Sequence, residues 1–208
     1  MKLREKQTRM TREMIKKAAL GLFCVNGIEY TDMAQIAEKA EIARRTLYHH
    51  YKDKEELAAE IYMENLNAMF GQLLSDFDLE RPLQSLEIIL DKYLMLRQHS
   101  ESLLYYDAIF NVYYSTLSKN PADLPAYRQT MEEWYGKLIQ PESESDAFNS
   151  EERLKWLERL FMSTHLLFSY LQKAVIITHQ KGGLLTEADL EEDRKFKHFI
   201  LRAVNPAN

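Results

Sequence analysis

The sequence predicts an all-α protein of about nine helices, in which a small N-terminal helix-turn-helix domain precedes a larger helical body. Three observations favour this fold class. The 208 residues include only six glycines and five prolines, which leaves few turn-forming positions. Apolar residues recur at helical spacing along most of the chain. The first third contains two short helical segments joined by a connection too tight for an antiparallel pair.

The first helix is predicted from one apolar stripe, and its end from a glycine. Apolar side chains at i, i+3, i+4, i+7 and i+8 share one helix face: Ile15, Ala18, Ala19, Leu22 and Phe23. Gly27 ends the helix because glycine tolerates a left-handed backbone. A second short helix follows, with its buried face at Met33, Ile36, Ala37 and Ala40. Asp32 and Gln35 resemble a capping box at its start, and Thr31 is the alternative N-cap.

A third short helix is predicted over residues 43–50, after a connection at residues 40–42. Two short helices joined so closely must cross steeply, which is the helix-turn-helix arrangement. Asp53 is placed to cap a fourth helix, with Glu56 completing a capping box. If Leu47 points to the core, Arg45 and His49 lie on the opposite face, since successive side chains rotate by about 100°.

The charge of the chain is unevenly distributed. The net charge is -5, but residues 1–57 hold 12 Lys and Arg against 9 Asp and Glu, so that part carries +3 and the rest -8. A basic end on an acidic body suggests a module that binds a polyanion, although a solvated basic tail has the same composition. The outward face of the third helix adds guanidinium, hydroxyl, phenol and imidazole groups. Such groups suit phosphates and base edges in a DNA major groove.

The segment from Ile15 to Leu57 resembles the DNA-binding domain of TetR-type bacterial transcriptional regulators. The resemblance lies in "IKKAALGLF", "NGIEYT" and "IAEKAEIARRTLYHHYKDKEEL". Two positions depart from the family pattern. Glu41 stands where glycine is usual, at a steric penalty of roughly 1 kcal/mol if φ is positive. Ala43 stands where serine is common, so a capping hydroxyl worth on the order of 1 kcal/mol is missing.

The resemblance implies a domain division and a set of site residues. Residues 1–57 would form the helix-turn-helix DNA-binding domain, and residues 58–208 the effector-binding and dimerisation domain. Double-stranded DNA with a palindromic operator is the implied partner. Phosphate contacts are expected from Thr31, Tyr48 and Lys54, and contacts to bases or nearby phosphates from Arg44, Arg45, Thr46 and His49. We expect Arg45 to be a major determinant of specificity, because arginine pairs with guanine O6 and N7. Arg4, Lys6 and Arg9 form either an arm along the DNA or a disordered segment.

The remaining helices are expected over 54–74, 83–98, 102–118, 124–139, 151–179 and 186–204. Thr186 and Asp189 resemble a capping box at the start of the last helix. The penultimate helix carries apolar residues on two sides, which calls for two packing partners. One stripe is Leu154, Leu157, Phe161, Thr164, Phe168, Leu171 and Val175; the second is Trp156, Leu160, Leu167, Tyr170, Ala174 and Ile177. The resemblance implies a homodimer through the last two helices, and the alternative is a monomer with a central helix.

Aromatic residues and methionines in the body predict a pocket for a small apolar or amphipathic effector. The candidate lining residues are Phe70, Tyr93, Tyr106, Phe110, Tyr113 and Trp134. Asp107 could meet a cationic ligand, but we expect an exposed carboxylate there. An effector that favours splayed recognition helices would release the operator.

Several function classes find no support in the sequence. Cys24, the single cysteine, excludes an intrachain disulfide and is expected to be a buried thiol. Motifs of enzymes and metal sites are lacking, so no catalytic residue, cofactor or metal is expected. No apolar run approaches the ~20 residues of a membrane span, and we expect a cytoplasmic protein without a membrane partner. The alternatives are a helical protein-protein adaptor and a transcriptional activator without small-molecule induction.

Overall fold

The computed structural model describes residues 3–74, 78, 81–99, 101–139 and 150–205, and this part of the chain is helical without any strand. Its elements are α1 (Leu3–Asn26), α2 (Met33–Lys39), α3 (Arg44–His50), α4 (Lys54–Leu74), α5 (Pro82–His99), α6 (Glu101–Thr116), α7 (Pro125–Ile139), α8 (Ser150–Gln180) and α9 (Glu187–Val204). A 3₁₀ helix at Pro121–Asp123 lies in a segment predicted to be a loop. The predicted all-α fold is confirmed.

The first three helices close around a small core. Ile15, Phe23, Ile36 and Leu47 have less than 1% of their surface exposed. Gly27 takes a φ of 86° and its amide bonds to the Phe23 carbonyl, so α1 ends where the sequence predicts. At its other end α1 reaches back to Leu3, so the basic N-terminal segment continues this helix.

Helix α4 connects this unit to the body. It runs without interruption from Lys54 to Leu74, so it crosses the predicted domain division after residue 57. Leu57 and Ala58, on either side of that division, are both fully buried. A single unbroken helix therefore belongs to both parts of the chain.

Local capping signals in the sequence match the observed helix starts closely. Asp32 and Gln35 form a reciprocal capping box on α2, and Thr186 and Asp189 form another on α9. At α4 only half of the predicted box forms. The Glu56 amide donates to Asp53, whereas the Glu56 carboxylate accepts from the Lys52 amide.

Helix α8 is the centre of the body and packs against α5, α6, α7 and α9. Most of both predicted apolar stripes is covered within the chain, because Leu157, Leu171, Trp156, Leu160 and Leu167 are all buried. Most of the second stripe therefore packs within the chain, and a dimer through the last two helices stays a prediction. Ile177, which belongs to the second stripe, is exposed, and the exposed Met162 and Leu166 lie beside it at the edge of that stripe.

Between Leu154 and Gln180, helix α8 is long and apolar enough to span a membrane by length and composition. No such segment was expected from the sequence. A third of this apolar stretch is buried inside the protein. Packing against four other helices is the environment of a central core helix.

Candidate DNA interface and effector cavity

Helix α3 presents one buried and one open face. Leu47 has none of its surface exposed and anchors the helix in the core. Arg44, Arg45, Tyr48 and His49 are exposed, and Thr46 is half-buried. The structure therefore brings together on one open face five of the seven residues predicted to contact DNA. The open face offers two guanidinium groups, a phenol and an imidazole, which can donate to phosphates and to base acceptors.

The turn before α3 carries the two departures from the family pattern. Glu41 adopts a φ of 55°, the left-handed region that favours glycine. The turn closes through hydrogen bonds from the Glu41 amide to Glu38 O (3.0 Å) and from the Ile42 amide to Ala37 O (3.0 Å). Ala43 stands at the N-cap of α3 without a side-chain hydrogen bond. Both features match the expectation from the sequence.

The C-terminal end of α3 is tied to α1 and α4 through Tyr51. The Tyr51 hydroxyl donates to Glu60 of α4 at 3.0 Å, and the Arg12 guanidinium lies 4.7 Å from the centre of the Tyr51 ring. Arg12 also pairs with the Glu60 carboxylate, and this hydrogen bond raises the pKa of Arg12. Lys16 donates to Glu64, one helical turn further along α4, at 2.5 Å. These contacts fix the open face of α3 relative to α4.

Two of the predicted phosphate contacts are engaged elsewhere. The Lys54 ammonium donates to three backbone carbonyls in the loop after α1: Ile28 at 2.9 Å, Glu29 at 2.7 Å and Thr31 at 3.0 Å. Since an ammonium has three donors, none remains for a phosphate in this conformation. Thr31 is 1% exposed, and its hydroxyl donates to the Gly27 carbonyl. The arrangement does not support phosphate contacts by these two side chains.

A cavity of about 130 Å³ lies between α4, α5, α6, α7 and α8. Its wall is mostly aromatic and apolar with a few polar groups, and it is formed by Tyr62, Leu66, Met69, Tyr93, Asn111, Tyr127, Met131, Phe161, Thr164, His165, Phe168, Ser169 and Gln172. Such walls are typical of sites for small organic ligands, although most of those sites are larger. A second space of about 360 Å³ is an open groove at the surface between α5 and α9.

The predicted lining residues divide between this cavity and the core. Tyr93 lines the cavity. Tyr106, Phe110 and Tyr113 do not, because their side of α6 packs against the N-terminal helices and α4. Tyr106 donates to Ala58 O at 2.8 Å, and the Phe110 ring stacks on Tyr62 with ring centres 4.2 Å apart. The side chains of Phe70 and Trp134 lie outside the described residues.

Sequence reasoning missed the polar end of the cavity. Asp107 was expected to be exposed, but it is 2% exposed, and burial raises its pKa to about 7. Its Oδ2 atom accepts hydrogen bonds from the side-chain amides of Gln172 on α8 and Asn111, one turn along α6. The i, i+4 spacing of Asp107 and Asn111 was a local signal, whereas the partnership with Gln172 depends on tertiary packing.

The fold and the open face of α3 define a helix-turn-helix protein with a helical body. A sequence profile described as "Bacterial regulatory proteins, tetR family" matches residues 15–61. The transcriptional regulator TcmR of Streptomyces glaucescens is 43% identical over 56 residues, which is 27% of this chain and 25% of TcmR. The first curated relatives are matched over about a quarter to a half of their length. Residues 15–61 therefore belong to the TetR family of bacterial regulatory proteins.

Solved structures extend the fold comparison to the whole chain. The fatty acid degradation regulator FadR of Bacillus halodurans is similar over 92% of this chain and 94% of its own, with a TM-score of 0.63 and 13% identity. FadR of Bacillus subtilis in complex with stearoyl-CoA is similar over 93% of this chain and 99% of its own, with a TM-score of 0.59 and 15% identity. At this identity the likeness concerns the fold of the helical body.

Proposed function

We propose that this protein is a sequence-specific DNA-binding transcriptional repressor. It acts in the cytoplasm as a homodimer on a palindromic operator, and a small apolar or amphipathic effector releases it. Residues 1–57 form the DNA-binding domain, and residues 58–208 form the effector-binding and dimerisation domain.

The open face of α3 is the observation that carries this proposal. Leu47 anchors the helix while Arg45 and His49 point away from the core. An α-helix fits the major groove, and arginine can read a guanine there through two hydrogen bonds. Tyr48 and Arg44 are placed to reach phosphates beside the same groove. Neither a helical adaptor nor an enzyme gives a reason for these groups to share one exposed face.

A homodimer is supported by apolar surface that the single chain leaves uncovered. Met162, Leu166 and Ile177 fall within about 60° of one another on α8, at 100° per residue. Their side chains are 66%, 46% and 39% exposed, and Phe199 of α9 is 59% exposed. Exposed apolar groups concentrated on two neighbouring helices indicate an interface. Two recognition helices then read successive major grooves, about 34 Å apart.

An effector site in the body is supported by the cavity and by the FadR complex with stearoyl-CoA, whose fold is similar. The cavity touches α4, and α4 begins directly after the recognition helix. An effector that binds better to a dimer with splayed recognition helices must weaken operator binding by the same factor.

DNA binding can be tested with the region upstream of the protein's own gene. We expect a salt-sensitive, sequence-selective complex in fluorescence anisotropy. Arg45→Ala should lose about 1–3 kcal/mol of discrimination between the operator and a single-base variant. The control Arg128→Ala changes an exposed cation of α7, far along the chain from α3, and should leave selectivity intact. The proposal would be contradicted if the protein bound every duplex with equal affinity or bound no duplex at all. Repression would be contradicted if expression from a promoter reporter fell when the gene was deleted.

A further inference from the structure

A buried carboxylate lies behind the polar end of the cavity, and its side-chain partners among the described residues are neutral. Asp107 is buried, and its recorded hydrogen-bond donors are the side-chain amides of Asn111 and Gln172. An ionised carboxylate in a buried site is costly unless a positive charge balances it. No cation in the described part of the chain pairs with Asp107. The one other buried carboxylate there, Asp193, pairs with Arg97 between α9 and α5.

The two amides transmit the polarity of Asp107 to the cavity. Both Asn111 and Gln172 line the cavity, and each uses its NH₂ group to donate to Asp107 Oδ2. Asn111 also donates to the Asp107 backbone carbonyl at 2.8 Å. Each amide keeps a carbonyl oxygen, which is a hydrogen-bond acceptor. The carboxylate of Asp107 is therefore one hydrogen bond away from two residues of the cavity wall.

The rest of the wall suits a positive charge as well. The described lining residues include no lysine, arginine or carboxylate, and His165 is their one basic side chain. Five of them are aromatic: Tyr62, Tyr93, Tyr127, Phe161 and Phe168. Aromatic ring faces attract ammonium groups, most strongly where water is excluded. The charge of Asp107 reaches this wall, because it adds to burial in raising the pKa of both Tyr62 and Tyr127.

We propose that the effector is a small cationic amphiphile, whose protonated amine or quaternary ammonium lies at the Asn111–Gln172 end of the cavity with Asp107 as its counter-charge. Its apolar part lies among the aromatic rings of α5 and α8. This inference rests on the proposed function, because it assigns the cavity to the effector. The cavity volume of about 130 Å³ restricts the bound portion to a compact group unless the helices move apart.

Three ligands with one apolar body and different head charges test the proposal: phenylbutylamine, phenylbutanol and phenylbutyrate. Calorimetry uses the full chain at about pH 8, where the amine is cationic and Asp107 is mostly ionised. We expect the amine to bind about ten- to a hundredfold more tightly than the alcohol, and the carboxylate to bind most weakly. In Asp107→Asn the preference for the amine should fall to about twofold, with the alcohol unaffected.

The control variant Glu132→Gln removes an exposed carboxylate of α7 and should keep the preference. Equal binding of amine and alcohol by the wild-type chain overturns the proposal, as does tighter binding of phenylbutyrate or no binding of the amine at about 1 mM. These three outcomes need no variant, so they hold even if Asp107→Asn does not fold. A folded Asp107→Asn that keeps the full preference overturns it too. Operator binding is measured without any ligand, so a failure of the regulatory function is seen separately.

Discussion

The hydroxyl of Tyr113 on α6 donates a 2.5 Å hydrogen bond to the Glu55 carboxylate in the first turn of α4. The Tyr113 ring also lies 5.9 Å from the Lys54 ammonium. Glu55 and Lys54 follow the recognition helix within a few residues, and α6 carries Asp107 and Asn111 at the cavity. Tyr113 therefore joins α6, which lies at the polar end of the cavity, to the first turn of α4, the helix that follows α3.

Replacing Tyr113 by phenylalanine tests the strength of this connection. The variant keeps the ring and loses one hydrogen bond to a charged acceptor, so we expect the free energy of unfolding to fall by about 1–2 kcal/mol. Urea denaturation followed by circular dichroism measures the change. Tyr30→Phe removes an exposed hydroxyl and should leave stability within about 0.5 kcal/mol of the wild type. If both variants were equally stable, the Tyr113–Glu55 bond would contribute nothing measurable.

Lys54→Met separates the two roles considered for this residue. If the ammonium mainly holds the three carbonyls, the variant should lose about 2–3 kcal/mol of stability, and the salt dependence of DNA binding should stay the same. If Lys54 contacts a phosphate, the slope of log affinity against log salt should fall by about 1 and stability should change little. Lys52→Met, at an exposed neighbouring position, is the control for stability. A stable variant with a reduced salt slope would restore the phosphate role.

The sequence predicted most helix bounds because the signals are local. The Asp32–Gln35 and Thr186–Asp189 capping boxes need only residues three apart, and Gly27 ends α1 by its own backbone preference. The open face of α3 followed from the single assumption that Leu47 is buried.

The cavity could not be predicted in the same way. Helix α6 buries Tyr106, Asp107, Phe110, Tyr113 and Tyr114, so apolar periodicity does not tell which side faces a cavity. The role of Lys54 also escaped prediction, because its carbonyl partners at residues 28, 29 and 31 come close only when α4 packs beside the loop after α1. Both features depend on tertiary contacts between residues far apart in sequence.

Glu41→Gly should stabilise the protein. Glu41 has a φ of 55°, where a side chain costs roughly 1–2 kcal/mol that glycine avoids. Glycine also gains freedom in the unfolded chain, so the expected net gain is about 0.5–1 kcal/mol. Glu38→Gly, within helix α2, should instead lose about 0.5–1 kcal/mol. Thermal unfolding of the two variants measures these opposite changes in stability. A destabilised Glu41→Gly would show that Glu41 imposes no steric penalty on the turn.

The buried Asp107 should make the stability depend on pH. Its pKa is about 7 in the folded protein against an ordinary value of 3.8, because burial disfavours the charged form. Between these two values the unfolded chain releases a proton that the folded chain retains, so stability falls as pH rises from about 4 to 7. The full difference is on the order of 4 kcal/mol. Denaturation at several pH values should show this loss in the wild type but not in Asp107→Asn; parallel curves would contradict the assignment.

A charge placed on the uncovered apolar surface tests the homodimer. Phe199 of α9 is 59% exposed in the single chain, so Phe199→Glu should fold normally. In a dimer paired through α8 and α9 the new carboxylate would be buried without a partner, at a penalty of several kcal/mol. We therefore expect light scattering at about 10 μM to give a dimer mass for the wild type and a monomer mass for the variant. Val112→Glu, at a similarly exposed residue of α6, should remain dimeric. A monomeric wild type would contradict the homodimer and leave the spacing of the recognition helices without a structural basis. A Phe199→Glu dimer as stable as the wild type would show that α9 is not in the interface.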